Sequence, residues 1–132
     1  MLFPRKDEVL EIHRQLLERF GGLPGIRDDG ALESALLAPA NRQHYEGADL
    51  ATCAATYAFH LTQNHPFVDG NKRVGAAVAE IFVRLNGSHL TATNDEIVAM
   101  FFSIAAGAIS REDVELAFAR WIATPGITED YP

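Results

Sequence analysis

A single cysteine, Cys53, is all the thiol chemistry the 132-residue sequence holds, so no disulfide can form within the chain. A reducing compartment fits, and the apolar setting from Ala51 to Ala55 assigns the thiol to packing rather than reaction. Positive charge is scarce: 11 Lys and Arg against 18 Asp and Glu leave a formal charge of −7 and a pI near 5.1. Nucleic-acid affinity comes largely from neutralising phosphates with a basic face, so nucleic acid is excluded as the expected partner. Long hydrophobic runs are missing as well. The longest uncharged stretch, Ile97 to Ile109, falls well short of the ~20 residues that cross a bilayer and reads as a buried helix. The N-terminus, Met1 to Asp7, turns polar before the apolar core of a secretory signal could form, so a cytoplasmic chain with no membrane partner is expected. No Gly-x-x-x-x-Gly-Lys-Ser/Thr segment occurs, which excludes a P-loop. His60 and His65 are five apart rather than the four that put two metal ligands on one helix face. His13 and His89 read as capping or surface residues, and His44 as surface or target contact.

What is present is helical periodicity within the size of one domain, read here as residues 1–132 with 124–132 as a flexible tail. Leu10, His13, Leu16, Leu17 and Phe20 predict a first helix near residues 5–20, stopped by Gly21 and Gly22. Asp28 or Asp29 can cap a second, short helix through Leu37, ended by Pro39, because proline disfavours helix in the residue before it. Residues 38–48 then read as a surface loop or a short hairpin. Apolar spacing from Asp49 to Asn64 and from Asn71 to Leu85 predicts two more helices. Thr93 with Glu96 forms a capping-box pattern, and Ser110 with Asp113 a similar start, for two further ones. The expected fold is therefore an all-α bundle of about six helices.

Between the helices expected at 49–64 and 71–85, both otherwise strongly apolar, lies His65-Pro66-Phe67-Val68-Asp69-Gly70-Asn71-Lys72-Arg73. Glycine lets a loop expose successive N–H groups as an anion-binding nest leading into a helix N-terminus, and phosphate is the natural guest. Lys72 and Arg73 add positive charge beside those amides, arginine being able to hold two phosphate oxygens at once. Asp69 is an oxygen ligand of the kind magnesium accepts beside nucleotide phosphates and water. Histidine is the side chain that titrates nearest neutrality, so His65 is the natural base, and a base beside a phosphate cradle points to group transfer onto a hydroxyl. Phe67 reads as an apolar anchor for the loop.

This nine-residue string resembles the signature loop of the Fic/Doc family. Gly21-Gly-Leu-Pro-Gly-Ile-Arg-Asp-Asp-Gly30 resembles the N-terminal region of its death-on-curing (Doc) branch, so that the likeness spans roughly residues 8–122. The resemblance implies an all-helical Fic core, ATP as substrate nucleotide with Mg2+ held by Asp69, and His65 as the catalytic base. It also implies that Gly70, Asn71, Lys72 and Arg73 with the loop amides hold phosphates. AMP transferases of the family carry glycine where Lys72 stands and a second arginine where Ala76 stands. Both changes are shared with the Doc branch, whose members resemble kinases that move the γ-phosphate of ATP to a threonine of elongation factor Tu. They thereby inhibit translation as toxins of type II toxin-antitoxin systems. Gly70 is more like the AMP transferases, and protein adenylylation is the alternative transfer. The family's self-inhibitory Ser/Thr-x-x-x-Glu-Gly/Asn pattern is missing, Arg42 standing where its hydroxyl belongs ahead of Glu46-Gly47, so the resemblance implies restraint by an antitoxin supplied in trans. A reading of another class, a binding module of such a complex without turnover, is opposed by the joint presence of His65, Asp69, Asn71 and Arg73.

Overall fold

The computed structural model describes residues 1–123; the tail read at 124–132 lies outside them. Six helices follow one another: α1 (Lys6–Phe20), α2 (Asp29–Glu46), α3 (Leu50–Gln63), α4 (Asn71–Leu85), α5 (Asn94–Ala105) and α6 (Arg111–Trp121). Among the described residues β pairing is confined to two isolated bridges, Ile26 with Phe67 and Leu90 with Ile122, so the fold is all-α. No helix among them is long and apolar enough to cross a membrane.

α3 is the axle of the bundle, packing against α2, α4, α5 and α6, while α1 lies on α4. It can serve so because most of its circumference is small and apolar: Ala51, Cys53, Ala54, Ala55, Tyr57, Ala58 and Leu61 are all buried. Removing a full turn of such surface from water supplies roughly 25 cal/mol per Å2, which favours a central place over an amphipathic one. α4 approaches α3 at Gly75: a Cβ there would fall inside the envelope of Thr62 Oγ1 and lie 3.1 Å from Phe101 Cε1. Glycine is unfavourable in a helix interior by about 1 kcal/mol relative to alanine, and the close α3–α4 contact is what the missing side chain permits. Cys53 is buried, and burial pushes its thiol up to about 11, in keeping with a packing role.

Caps follow the sequence signals. Asp28 accepts from the Ala31 N–H, Asp49 from Thr52, Thr93 from Glu96 in a reciprocal capping box and Ser110 from Asp113. Two expectations are corrected. Of the stretch 38–48 only Gly47 and Ala48 are loop: α2 continues through Pro39 to Glu46. A proline in a helix interior costs about 3 kcal/mol, but here Pro39 is buried, and its carbonyl oxygen faces Cys53 Sγ of α3 at 3.5 Å. One turn later Arg42 Nη1 donates to Thr56 Oγ1 at 3.0 Å and to Glu115 Oε2 at 2.7 Å, tying α2 to α3 and α6. Local propensity is overridden by these tertiary contacts. The second correction is at 97–109, which is not one buried helix. α5 ends at Ala105, and it buries Met100, Phe101 and Ile104 while exposing Val98 and Phe102.

Candidate active site

α3 ends at Gln63 because His65 precedes Pro66, and a residue before proline is pushed out of the helical region. His65 then adopts φ 46°, the one non-glycine residue with positive φ among the described residues. A left-handed backbone costs a side-chain-bearing residue about 1–2 kcal/mol, so neighbouring contacts must hold it there. The loop returns to helix at Gly70, whose φ of 83° makes it the left-handed N-cap of α4 with no side chain bonded over the helix end. The first N–H groups of α4 are therefore left pointing out of the helix, and the positive end of its dipole is open.

The loop is organised from within by Asn71. Its Oδ1 accepts from the Phe67 N–H at 3.0 Å, its Nδ2 donates to the Phe67 carbonyl at 3.0 Å, and the same nitrogen lies 3.5 Å from His65 Nδ1. The expectation that Asn71 holds phosphate is thereby narrowed: its side chain is spent on the loop, and what it can offer an anion is its backbone N–H. Phe67 is buried and stacks on His13, with ring centroids 3.9 Å apart and planes 15° from parallel, which makes it the anchor its position suggests. His13, read as a capping or surface residue, is buried instead. Its Nε2 pairs with the Asp69 carbonyl at 2.9 Å, and its ring lies 3.7 Å from where a Cβ at Gly70 would stand.

From outside, the segment between α1 and α2 runs along the loop. Val68 N–H donates to the Gly25 carbonyl at 3.0 Å, and the Arg27 and Asp28 N–H groups both donate to the Pro66 carbonyl, at 2.8 and 3.0 Å. The Leu23 N–H donates to Asp69 Oδ2 at 2.9 Å, fixing the carboxylate. Arg27 Nε and Nη2 donate to the His65 and Asn64 carbonyls at 2.6 and 2.8 Å. Arg27 and His13 were not singled out from sequence as site residues; the only signal was the Gly21–Gly30 likeness for Arg27 and the helical register with Leu16 and Leu17 for His13.

Asp69, Gly70, Asn71, Lys72 and Arg73 come together in one wall of an open cavity of about 1140 Å3. The end of α1 and the exposed face of α5 form its sides. His65 stands outside that lining, joined to it through Asn71. The two cations are drawn apart: the Arg73 guanidinium sits 4.5 Å over the Phe20 ring, and Lys72 Nζ 5.2 Å over the Phe102 ring. Each cation–π contact contributes about 0.5–1 kcal/mol at an exposed site and leaves the α4 N-terminus open between them. Among the described residues no three His, Cys, Asp or Glu side chains gather as a metal cage. A lone, fixed carboxylate suits magnesium, which takes most of its ligands from phosphate and water. The arrangement can receive a polyphosphate, and Asn71 links it to the exposed His65.

Comparison with known proteins bears on this geometry. The model of the Fic/DOC family matches residues 3–83, which contain α1 to most of α4 and the whole loop. Among curated proteins the chain is 33% identical over 109 residues to "Protein kinase doc" of Escherichia phage P1, covering 82% of this chain and 86% of that one. It is 39% identical over 80 residues to "Toxin Doc" of Mycolicibacterium smegmatis, covering 58% of this chain and 60% of that one.

Proposed function

Because the chain belongs to the Fic/DOC family, in its Doc branch, we propose that it is a toxin phosphotransferase moving the γ-phosphoryl group of ATP to a hydroxyl of a protein target. The observation that carries this reading is the open N-terminus of α4 behind left-handed Gly70, flanked by Lys72 and Arg73 on diverging aromatic walls. Gly70, Lys72, Arg73 and the backbone N–H of Asn71 hold the phosphates, and Asp69 holds the magnesium ion. Magnesium bound with the nucleotide neutralises charge on the phosphoryl oxygens. His65 takes the proton of the attacking hydroxyl as the new P–O bond forms and the bond to the β-phosphate oxygen breaks, releasing ADP. Positioning and charge neutralisation do most of the work in such a transfer.

Phosphoryl rather than AMP transfer is favoured by Lys72 and Ala76: the first charges the cradle, and the second offers no grip on a departing pyrophosphate. Gly70 carries no weight for AMP transfer, since its left-handed backbone accounts for a glycine by itself. The target is taken to be a threonine of elongation factor Tu, with arrest of translation as the outcome. The 132 residues are read as one Fic/Doc domain acting in the cytoplasm. An antitoxin in trans silences it, and co-expressing the protein encoded next to its gene should relieve growth arrest. The transfer is tested by incubating the protein with elongation factor Tu, or a cell extract, and ATP labelled at the α or the γ position. Label is expected from the γ position only. Label from the α position would establish AMP transfer, and neither label, with magnesium-ATP still stabilising the fold, would leave a binding module.

A further inference from the structure

The strained residue of the loop is also the proposed base, and one side chain outside the signature grips the backbone on both sides of it. His65 stands at φ 46°. The Arg27 guanidinium donates through Nε to the His65 carbonyl and through Nη2 to the Asn64 carbonyl, so that the peptide units entering and leaving His65 are both held by one planar fork. The Arg27 and Asp28 N–H groups hold the next carbonyl, that of Pro66. Three successive carbonyls, 64 to 66, thus answer to a two-residue stretch of the α1–α2 segment. That stretch is itself fixed at its far end, because the Asp28 carboxylate caps α2. Resting on the reading of His65 as base, we propose that Arg27 is a positioning residue for the transfer. It keeps His65 left-handed, so that the imidazole is presented outside the nucleotide groove while Asn71 closes the loop behind it.

The geometry separates this role from phosphate binding. Arg27 does not line the groove and its fork faces carbonyl oxygens, so it has no part in the cradle formed by α4. Lysine cannot replace it, since an ammonium is a point donor without the planar pair that matches two adjacent carbonyls. Loss of the fork frees the His65 backbone to relax toward negative φ, which moves the imidazole. A displacement of about 1 Å at a reacting group can cost on the order of 10²-fold in rate.

The test combines kinetics with a reading that needs no turnover. Arg27→Ala and Arg27→Lys are compared with the natural chain for γ-label transfer, for KM of magnesium-ATP and for the intraresidue HN–Hα NOE of residue 65, which is strong when φ is positive. Both variants should lose kcat by roughly 10- to 100-fold with KM for magnesium-ATP held within about twofold. The NOE should fall to the strength of an ordinary residue, and added guanidinium should restore part of the rate to Arg27→Ala. An unchanged NOE in both variants would overturn the proposal, as would a loss residing in KM or a kcat equal to that of the natural chain. Should the natural chain transfer no label at all, the phosphotransferase reading fails. The NOE then still decides whether Arg27 holds His65, and an NOE lost in the variants would support the clamp.

Discussion

Replacing Asn71 by alanine separates two accounts of the signature loop. If its side chain were a phosphate ligand, Asn71→Ala would weaken nucleotide binding and leave the unliganded protein as stable as before. The structure assigns it otherwise: both ends of the amide are bonded to the main chain of Phe67, whose ring is 1% exposed. Alanine would leave one buried N–H and one buried carbonyl without partners. Each such group costs about 1–3 kcal/mol, so the loss should be about 2–5 kcal/mol after some relaxation. For a chain of this length that is a fall in Tm on the order of 10 °C, and a sizeable part of a total of roughly 5–15 kcal/mol. Asn71→Asp should not rescue, since it keeps the acceptor for the Phe67 N–H but turns a carboxylate oxygen toward the Phe67 carbonyl. Urea unfolding of the unliganded variants, followed by helical circular dichroism, measures the effect. An unfolding midpoint within error of the natural chain, together with lost ATP affinity, would refute the assignment.

Gly75→Ala should destabilise despite alanine's better helix propensity: the added Cβ meets Thr62 and Phe101, and overpacking costs about 1–3 kcal/mol against a gain of about 1; a raised Tm would contradict the close α3–α4 approach. Arg73→Ala and Lys72→Ala should each weaken magnesium-ATP about ten- to hundredfold in titration calorimetry, the range for one charge-assisted contact. Burial first, then the charges of Arg111 and Arg42, hold His60 below its ordinary value. The unfolded chain therefore takes up a proton at His60 before the folded one does, and stability present above about pH 6.5 is lost as pH falls through the depressed value. Between pH 7 and 5.5 the natural chain should lose more Tm than His60→Gln; equal slopes would show that His60 contributes nothing.

The helices were legible wherever spacing, caps and stops agreed, as at α1, α3 and α4, whose expected ends lie within a residue of the observed ones. Pro39 misled because its cost is local while its compensation, its burial, the Cys53 contact to its carbonyl and the Arg42 tie to Glu115, comes from residues farther away in sequence. The apolar run at 97–109 misled for a related reason. A helix beside a groove can be apolar on its open face, and composition alone does not separate that face from a core-facing one. At the site, residue types and order pointed to the loop, and Asp69 to Arg73 do share one wall. The parts that hold the loop were not legible. His13 and Arg27 act on main-chain oxygens, which every residue carries, so nothing in the sequence marks the carbonyls they meet. For Asn71 the amide could face phosphate or backbone with equal chemical sense, and only the fold decides which.

His65 is the base of the proposed transfer, and the decisive measurement is the single-turnover rate of γ-label transfer by His65→Ala at saturating magnesium-ATP. Loss of a positioned general base predicts a rate reduced by roughly 10²–10⁴, with nucleotide affinity kept because the cradle lies on α4. Transfer by His65→Ala at the speed of the natural chain would contradict that role.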